Sequence, residues 1–284
     1  MASALDIPTK RICLVVLIGL PGSGKTTFTR HIQTFITEQA KMSKFGAFHL
    51  CYDQLVPLSK QKEMALVASN ASQTESLESD SEVEQNFKSW RKNIIVITDQ
   101  IICKLKGNSK DEEEKLEIND IILPSVPQEV EDKENILLVI DDNNYYQSMR
   151  YEYYQLARKH TIGFCQIYFR PKSIDNILSN NQKRPEGERI PDEVIKKMDS
   201  KIEPPNPFEN SWEQFSFSIN VEVIDNKDQH LFNMETSLDA VSAALDNPVQ
   251  PLPPTPPEKS EEAKAKSRNI CSTNIYHRAD KILR

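Results

Sequence analysis

Seven consecutive apolar residues, Ile12-Cys-Leu-Val-Val-Leu-Ile18, run without a break into Gly19-Leu-Pro-Gly-Ser-Gly-Lys-Thr26. An apolar run without polar alternation suits a strand covered on both faces, in the middle of a parallel sheet. The eight residues that follow fit G-x-x-x-x-G-K-[ST], the phosphate-binding loop that joins a strand to a helix. Glycines let the backbone curl until successive N–H groups point at phosphate oxygens. The first turn of the next helix adds the positive end of its dipole. A chance glycine-rich turn is the competing reading, and the flanks argue against it. Thr26 to Gln39 spaces Phe28, Ile32, Phe35 and Ile36 as a helix does. Phe45 to Cys51 then reads as a second strand, which makes the first fifty residues a βαβ unit.

In this frame Gly19, Pro21, Gly22, Ser23, Gly24, Lys25, Thr26 and Thr27 are expected around the phosphates of ATP. Lys25 would meet the β- and γ-phosphates, and the Thr26 hydroxyl would ligate Mg²⁺. Without nucleotide, Lys25 is expected to face solvent.

Three further positions carry chemistry. Leu137-Leu-Val-Ile-Asp-Asp142 ends a buried strand in two carboxylates, at the edge where open α/β sheets bind ligands. Asp141 or Asp142 would hold the metal, and the sequence leaves open which; solvated acids in a strand-end turn are the plainer alternative. Asp53, after the second strand, would accept the proton of an attacking hydroxyl or bind Mg²⁺, or merely cap a helix. Lys183, Arg184 and Arg189 lie in a polar segment between predicted helices. Such a segment closes over a γ-phosphate in many kinases, with Arg184 the first choice here; a solvated basic loop is the alternative.

Elsewhere, Val83, Phe87, Trp90, Ile94, Ile97, Ile101 and Leu105 form one helical stripe. A helix is expected over Ser148 to Lys159, a strand over Ile162 to Phe169 and a helix over Ser173 to Asn180. A short helix begins at Pro191, a last strand covers Phe215 to Ile224 and a last helix Leu231 to Leu245. The expected fold is α/β: a P-loop kinase-like parallel sheet flanked by helices, with a smaller, mostly helical C-terminal region. The sheet domain spans 1–180, with polar, exposed insertions near 69–82 and 107–134. A lid and helical region spans 181–248, and a proline-rich linker and basic tail 249–284.

The net charge is −7, whereas a protein that meets nucleic acid over its whole surface is usually basic. DNA is not expected as a partner. RNA would have to use local clusters: Lys183–Arg189, Lys196-Lys197 with Lys201, and Lys264–Arg284. The five cysteines form no CxxC pair, so neither a zinc site nor a disulfide framework is indicated. Reduced thiols fit a cytoplasmic protein. Lys10-Arg11 before the first apolar run imitates a signal peptide, but the run is too short to span a bilayer, so no membrane partner is expected.

One stretch is far more selective than the phosphate loop. Asp141-Asp-Asn-Asn-Tyr-Tyr-Gln-Ser-Met-Arg-Tyr-Glu-Tyr-Tyr-Gln-Leu-Ala-Arg158, taken with the loop and Asp53, closely resembles the phosphoseryl-tRNA kinase family, also called L-seryl-tRNA(Sec) kinases. The likeness continues through Gly163-Phe-Cys-Gln166, Lys201 to Pro207 with Trp212, and Asn269 to Ile275. It implies ATP-dependent phosphorylation of the serine of seryl-tRNA(Sec) in selenocysteine biosynthesis. It also implies Asp53 as the catalytic carboxylate and Asp141 with Asp142 as the metal-proximal pair. Arg150 falls inside the signature. The Asn-Tyr and Arg-Tyr-Glu elements are also similar to Kti12-like P-loop ATPases, which would imply a regulatory tRNA-binding ATPase instead. A small-molecule P-loop kinase is the third reading.

Overall fold

The computed structural model describes residues 10–56, 79–107, 124–221 and 234–253. Five strands form one parallel sheet: β1 (Arg11–Ile18), β2 (Phe45–Cys51), β3 (Asn135–Asp141), β4 (Gly163–Pro171) and β5 (Ser216–Val221), in the order β2-β3-β1-β4-β5. β1 sits at the centre, and every residue from Ile12 to Ile18 is buried, as a two-sided strand requires.

The helices divide between the two faces because strand side chains alternate. Ile12, Leu14 and Val16 join one cluster with Leu138 and Ile140. It includes residues of α2 (Tyr52–Leu55), α3 (Ser79–Leu105) and α5 (Gln147–His160). Cys13, Val15 and Leu17 join the other with Leu137 and Val139. That cluster is covered by α1 (Lys25–Glu38), α6 (Ile174–Gln182), α7 (Asp192–Asp199) and α8 (Met234–Asp246). The described residues from Lys10 to Gln250 form one compact unit.

The α3 stripe is buried at Ile94, Ile97, Ile101 and Leu105 with Trp90 half-buried, as the helical period requires. α3 begins at Ser79, so the expected insertion at 69–82 gives way to helix over its last four residues; 69–78 lie outside the described residues. The other insertion also shortens. Residues 124–134 pack back through buried Val126 and a single turn, α4 (Gln128–Glu131), against β2. Residues 108–123, the basic tail and the Asn269–Ile275 stretch lie outside the described residues.

α8 packs on β4 and β1, and the approach is closest at Gly163. A Cβ there would come within 2.8 Å of the Ala244 carbonyl oxygen and 3.2 Å of the Cys13 Cβ. Because the oxygen is backbone in a packed helix, it cannot swing aside. Gly163→Ala is therefore expected to lower stability by about 1–3 kcal/mol, the usual cost of overpacking. Urea denaturation followed by circular dichroism measures it.

Candidate active site

The loop between β1 and α1 takes the shape that its glycines permit. Gly22 and Gly24 have φ of 84° and 89°, left-handed values that side chains resist. Gly24 is the N-cap of α1. α6 closes over the loop: the Asn180 side-chain amide donates to the Gly22 carbonyl at 3.2 Å. Pro21, Thr26 and Thr27 are half-buried, and Ser23 is fully buried, its hydroxyl without a hydrogen-bond partner among the described residues.

Lys25 departs from expectation, being buried rather than solvent-facing. Its ammonium donates to the carbonyls of Gly19 (3.0 Å) and Leu20 (2.9 Å) and to Asn143 Oδ1 (3.1 Å). Three acceptors match the three donors of the ammonium, which is what makes a buried charge tolerable. Burial lowers the Lys25 pKa; Asp141, Asp142 and Asp53 oppose that, and the Arg184 charge adds to it. Four of the charged groups singled out in the sequence, Asp53, Asp141, Asp142 and Arg184, thus act on one amine.

Alternation along β3 separates its two terminal acids. Asp141 continues the Leu137–Val139 face, towards α1, while Asp142 turns towards α3. Asp141 Oδ2 accepts from Thr26 Oγ1 at 2.7 Å and meets His49 Nε2 at 2.9 Å. Burial disfavours its ionisation, but the His49 and Thr26 hydrogen bonds and the Lys25 charge hold its carboxyl below the usual range. Asp142 accepts from Arg91 Nε at 3.2 Å and from the Asn143 backbone N–H at 2.7 Å. The pair expected to share one role is therefore split: Asp141 adjoins the loop threonine, and Asp142 faces an arginine.

Neighbouring hydroxyl and carboxylate oxygens at Thr26 and Asp141 suit a hard divalent cation such as Mg²⁺. His49 and Cys51 bring softer donors within 4.8 Å of the Asp141 carboxylate. Burial pushes the Cys51 thiol up to about 12, which disfavours the thiolate that a metal would need.

Asp53 is exposed in the first turn of α2. The N-cap of that turn is Cys51, so Asp53 does not fill the capping position. Arg184 is half-buried in the segment after α6; exposed Arg189 donates from Nε to the Arg184 carbonyl at 2.8 Å and so braces it. Lys183 is exposed.

The family description "Chromatin associated protein KTI12" matches residues 12–283. The chain belongs to the KTI12 family. It is also 42% identical over 152 residues to the L-seryl-tRNA(Sec) kinase of Mus musculus, which is 52% of this chain and 38% of the mouse protein. The Homo sapiens L-seryl-tRNA(Sec) kinase is 42% identical over 149 residues, 52% of this chain and 39% of that protein. Each match thus covers under two fifths of the relative's own length. The crystal structure of Chaetomium thermophilum Kti12 in complex with ADP-AlF3 aligns with a TM-score of 0.45 at 16% identity, covering 80% of this chain and 98% of that one.

In this KTI12-family chain the signature arginine has a partner that sequence spacing does not reveal. Arg150 has no exposed surface and pairs with Glu213, equally buried, at 3.0 Å. Its Nε donates to Gln166 Oε1 at 2.9 Å and its Nη1 to the Asn144 carbonyl at 3.2 Å. Asn144 in turn donates to the Leu17 carbonyl, and Gly19 N–H to that of Asn143. Arg150 therefore fixes the turn that fixes the phosphate loop. His49, Arg91, Asn143 and Glu213 escape sequence reading because their partners lie far along the chain. Only His49 leaves a trace, as a polar interruption in the apolar run of β2.

The depressed pKa of Asp141 predicts a pH signature. A carboxyl whose folded-state value lies below its unfolded value stabilises fully above the unfolded value, about 4. That contribution is lost as pH falls through the folded-state value. Asp141→Asn is expected to be less stable than the wild type at pH 7, with the gap shrinking below about pH 4. Thermal melts across that range measure it.

Proposed function

We propose that this chain is an ATP-dependent kinase that phosphorylates the serine hydroxyl of seryl-tRNA(Sec), giving O-phosphoseryl-tRNA(Sec) for selenocysteine biosynthesis in the cytoplasm. The observation that carries the reading is the phosphate loop set against the end of β3, where Thr26 Oγ1 donates to Asp141 and the Lys25 ammonium donates to Asn143. Two of the matched relatives are named L-seryl-tRNA(Sec) kinase, and their likeness supports the choice of acceptor.

The chain's own groups divide the work. The backbone of Gly19 to Thr27 holds the ATP phosphates, and Lys25 exchanges its carbonyl partners for phosphate oxygens. Thr26 and Asp141 would hold Mg²⁺, which would supply neutralisation of charge on the transferred group, while Asp142 stays with Arg91. Asp53, exposed at the rim, takes the proton of the serine hydroxyl. Arg184, from the segment over the loop, stabilises charge on the γ-phosphoryl group.

A second reading has its own support. The KTI12 family match runs from 12 to 283, while the kinases match about half of the chain. It would make water the acceptor and the protein a regulatory tRNA-binding ATPase. γ-³²P-labelled ATP separates the two. Label on seryl-tRNA(Sec) supports the kinase, label in inorganic phosphate alone the ATPase, and label on a nucleoside or free serine a small-molecule kinase.

Two variants are expected to behave differently in that assay. Lys25→Ala is expected to lose about 10²–10³-fold in rate by removing charge stabilisation; because it also leaves the Gly19 and Leu20 carbonyls without their donor, thermal melts check that it remains folded. Asp53→Asn is expected to lower kcat by about 10²–10⁴-fold with little change in ATP binding, since Asn keeps the size but takes no proton. Near-normal turnover by either variant would remove that residue from the mechanism. If RNA phosphates contribute affinity, the KM for seryl-tRNA should also rise steeply with salt.

A further inference from the structure

Arg91 is a cation at the active-site rim to which none of these roles falls. It stands on α3, half-buried, its side chain 26% exposed. Nε is committed to Asp142, and the guanidinium carbon lies 5.7 Å from the centroid of the Tyr52 ring. Among the described residues its two terminal nitrogens have no hydrogen-bond partner. The Tyr52 hydroxyl beneath it is buried and equally without a partner. An arginine anchored through Nε and supported on an aromatic face presents its outer N–H groups as a rigid fork, the geometry that takes two oxygens of one anion.

The sheet order says which anion. Strands β4 and β1 carry the groups that close on the nucleotide phosphates: the loop, α6 above it, and Arg184. Strands β2 and β3 carry Tyr52, Asp53 and Asp142, and α3 brings Arg91 to Asp142. Phosphoryl transfer needs the accepting oxygen in line with, and opposite to, the leaving one. The acceptor therefore approaches from the β2–β3 half, past Arg91.

We propose that Arg91 and Tyr52 form an anion subsite for the acceptor, in which the Arg91 fork holds a backbone phosphate of the RNA that carries the accepting hydroxyl. This rests on the phosphoryl-transfer reading above. An aminoacyl ester has no free carboxylate, so the first anion near its hydroxyl is a phosphodiester at the RNA 3′ end. A free amino acid would offer its carboxylate to the same fork, and the test must separate the two.

Steady-state kinetics with seryl-tRNA(Sec) and with free serine, at several salt concentrations, are compared for the wild type, Arg91→Gln and Arg91→Lys. In Arg91→Gln the acceptor KM is expected to rise at least tenfold more than the ATP KM. Its log KM should depend less steeply on log salt, by about 0.7–0.9 for the one phosphate contact removed. Arg91→Lys keeps the charge and is expected to keep the salt slope, while losing affinity with the fork; thermal melts check that both variants fold. Equal rises in both KM values with an unchanged slope would reduce Arg91 to a partner of Asp142 and overturn the proposal. A loss confined to free serine would assign the fork to a carboxylate and overturn the RNA contact. If the wild type transfers phosphate only to water, the kinase reading fails separately. The subsite is then judged by tRNA binding with a non-hydrolysable ATP analogue: a shallower slope in Arg91→Gln sustains it and an unchanged slope ends it.

Discussion

Leu17, Asp141 and Cys51 stand in one row across β1, β3 and β2, and the site depends on that register. Side chains in a strand alternate, so a slip of one residue would carry Asp141 to the opposite face and put Ile140 under the loop threonine. The native row does two things at once. It leaves the even-numbered residues Leu138 and Ile140 in one apolar cluster and the odd-numbered Leu137 and Val139 in the other. It also sends the two consecutive acids at the strand end in different directions, Asp141 to Thr26 and Asp142 to Arg91. The apolar pattern that fixes the register for folding thus fixes the polar geometry at no further cost.

Lys25 shows how the loop stays intact around a buried charge. Its ammonium meets two carbonyls of its own loop and one side-chain amide oxygen. These are neutral acceptors in place of water, with nearby carboxylates supplying long-range attraction. Phosphate oxygens would make charge-assisted bonds to the same donors, which are shorter and stronger than bonds to neutral carbonyls. The loop is thereby biased towards anions while remaining satisfied on its own. The turn at Asn143-Asn144 belongs to this arrangement, because it supplies one acceptor to Lys25 and is itself held by the buried Arg150–Glu213 pair.

Much of this was legible in the sequence where a local pattern carries the information. Two-sided strands announce themselves as apolar runs, unbroken in β1 and interrupted at His49 in β2, and β1, β2 and β3 begin and end within a residue of the apolar boundaries. The phosphate loop is legible because its glycines answer a backbone need. What depends on pairing across the fold was not. Arg91 reads as one more charge on a polar helix until Asp142, 51 residues away, is seen beside it. Glu213 lies 63 residues from Arg150 in an irregular segment whose spacing says nothing of burial. Lys25 was expected to face solvent because its acceptors are mostly backbone atoms, which leave no mark on composition.

The strand order has a consequence for the nascent chain. β1 and β2 are neighbours in sequence but not in the sheet; β3 lies between them and pairs with both. Its residues, Asn135–Asp141, leave the ribosome more than eighty residues after β2. During that interval two apolar strands exist without the ladder that will join them, the kind of exposed edge that invites aggregation. The intervening residues, 52–134, carry 18 acids against 10 lysines and arginines, so the chain gains negative charge while the two strands still lack their common neighbour. Charge of one sign opposes self-association, so this part of the chain adds repulsion at the stage when β1 and β2 stand without the strand that joins them.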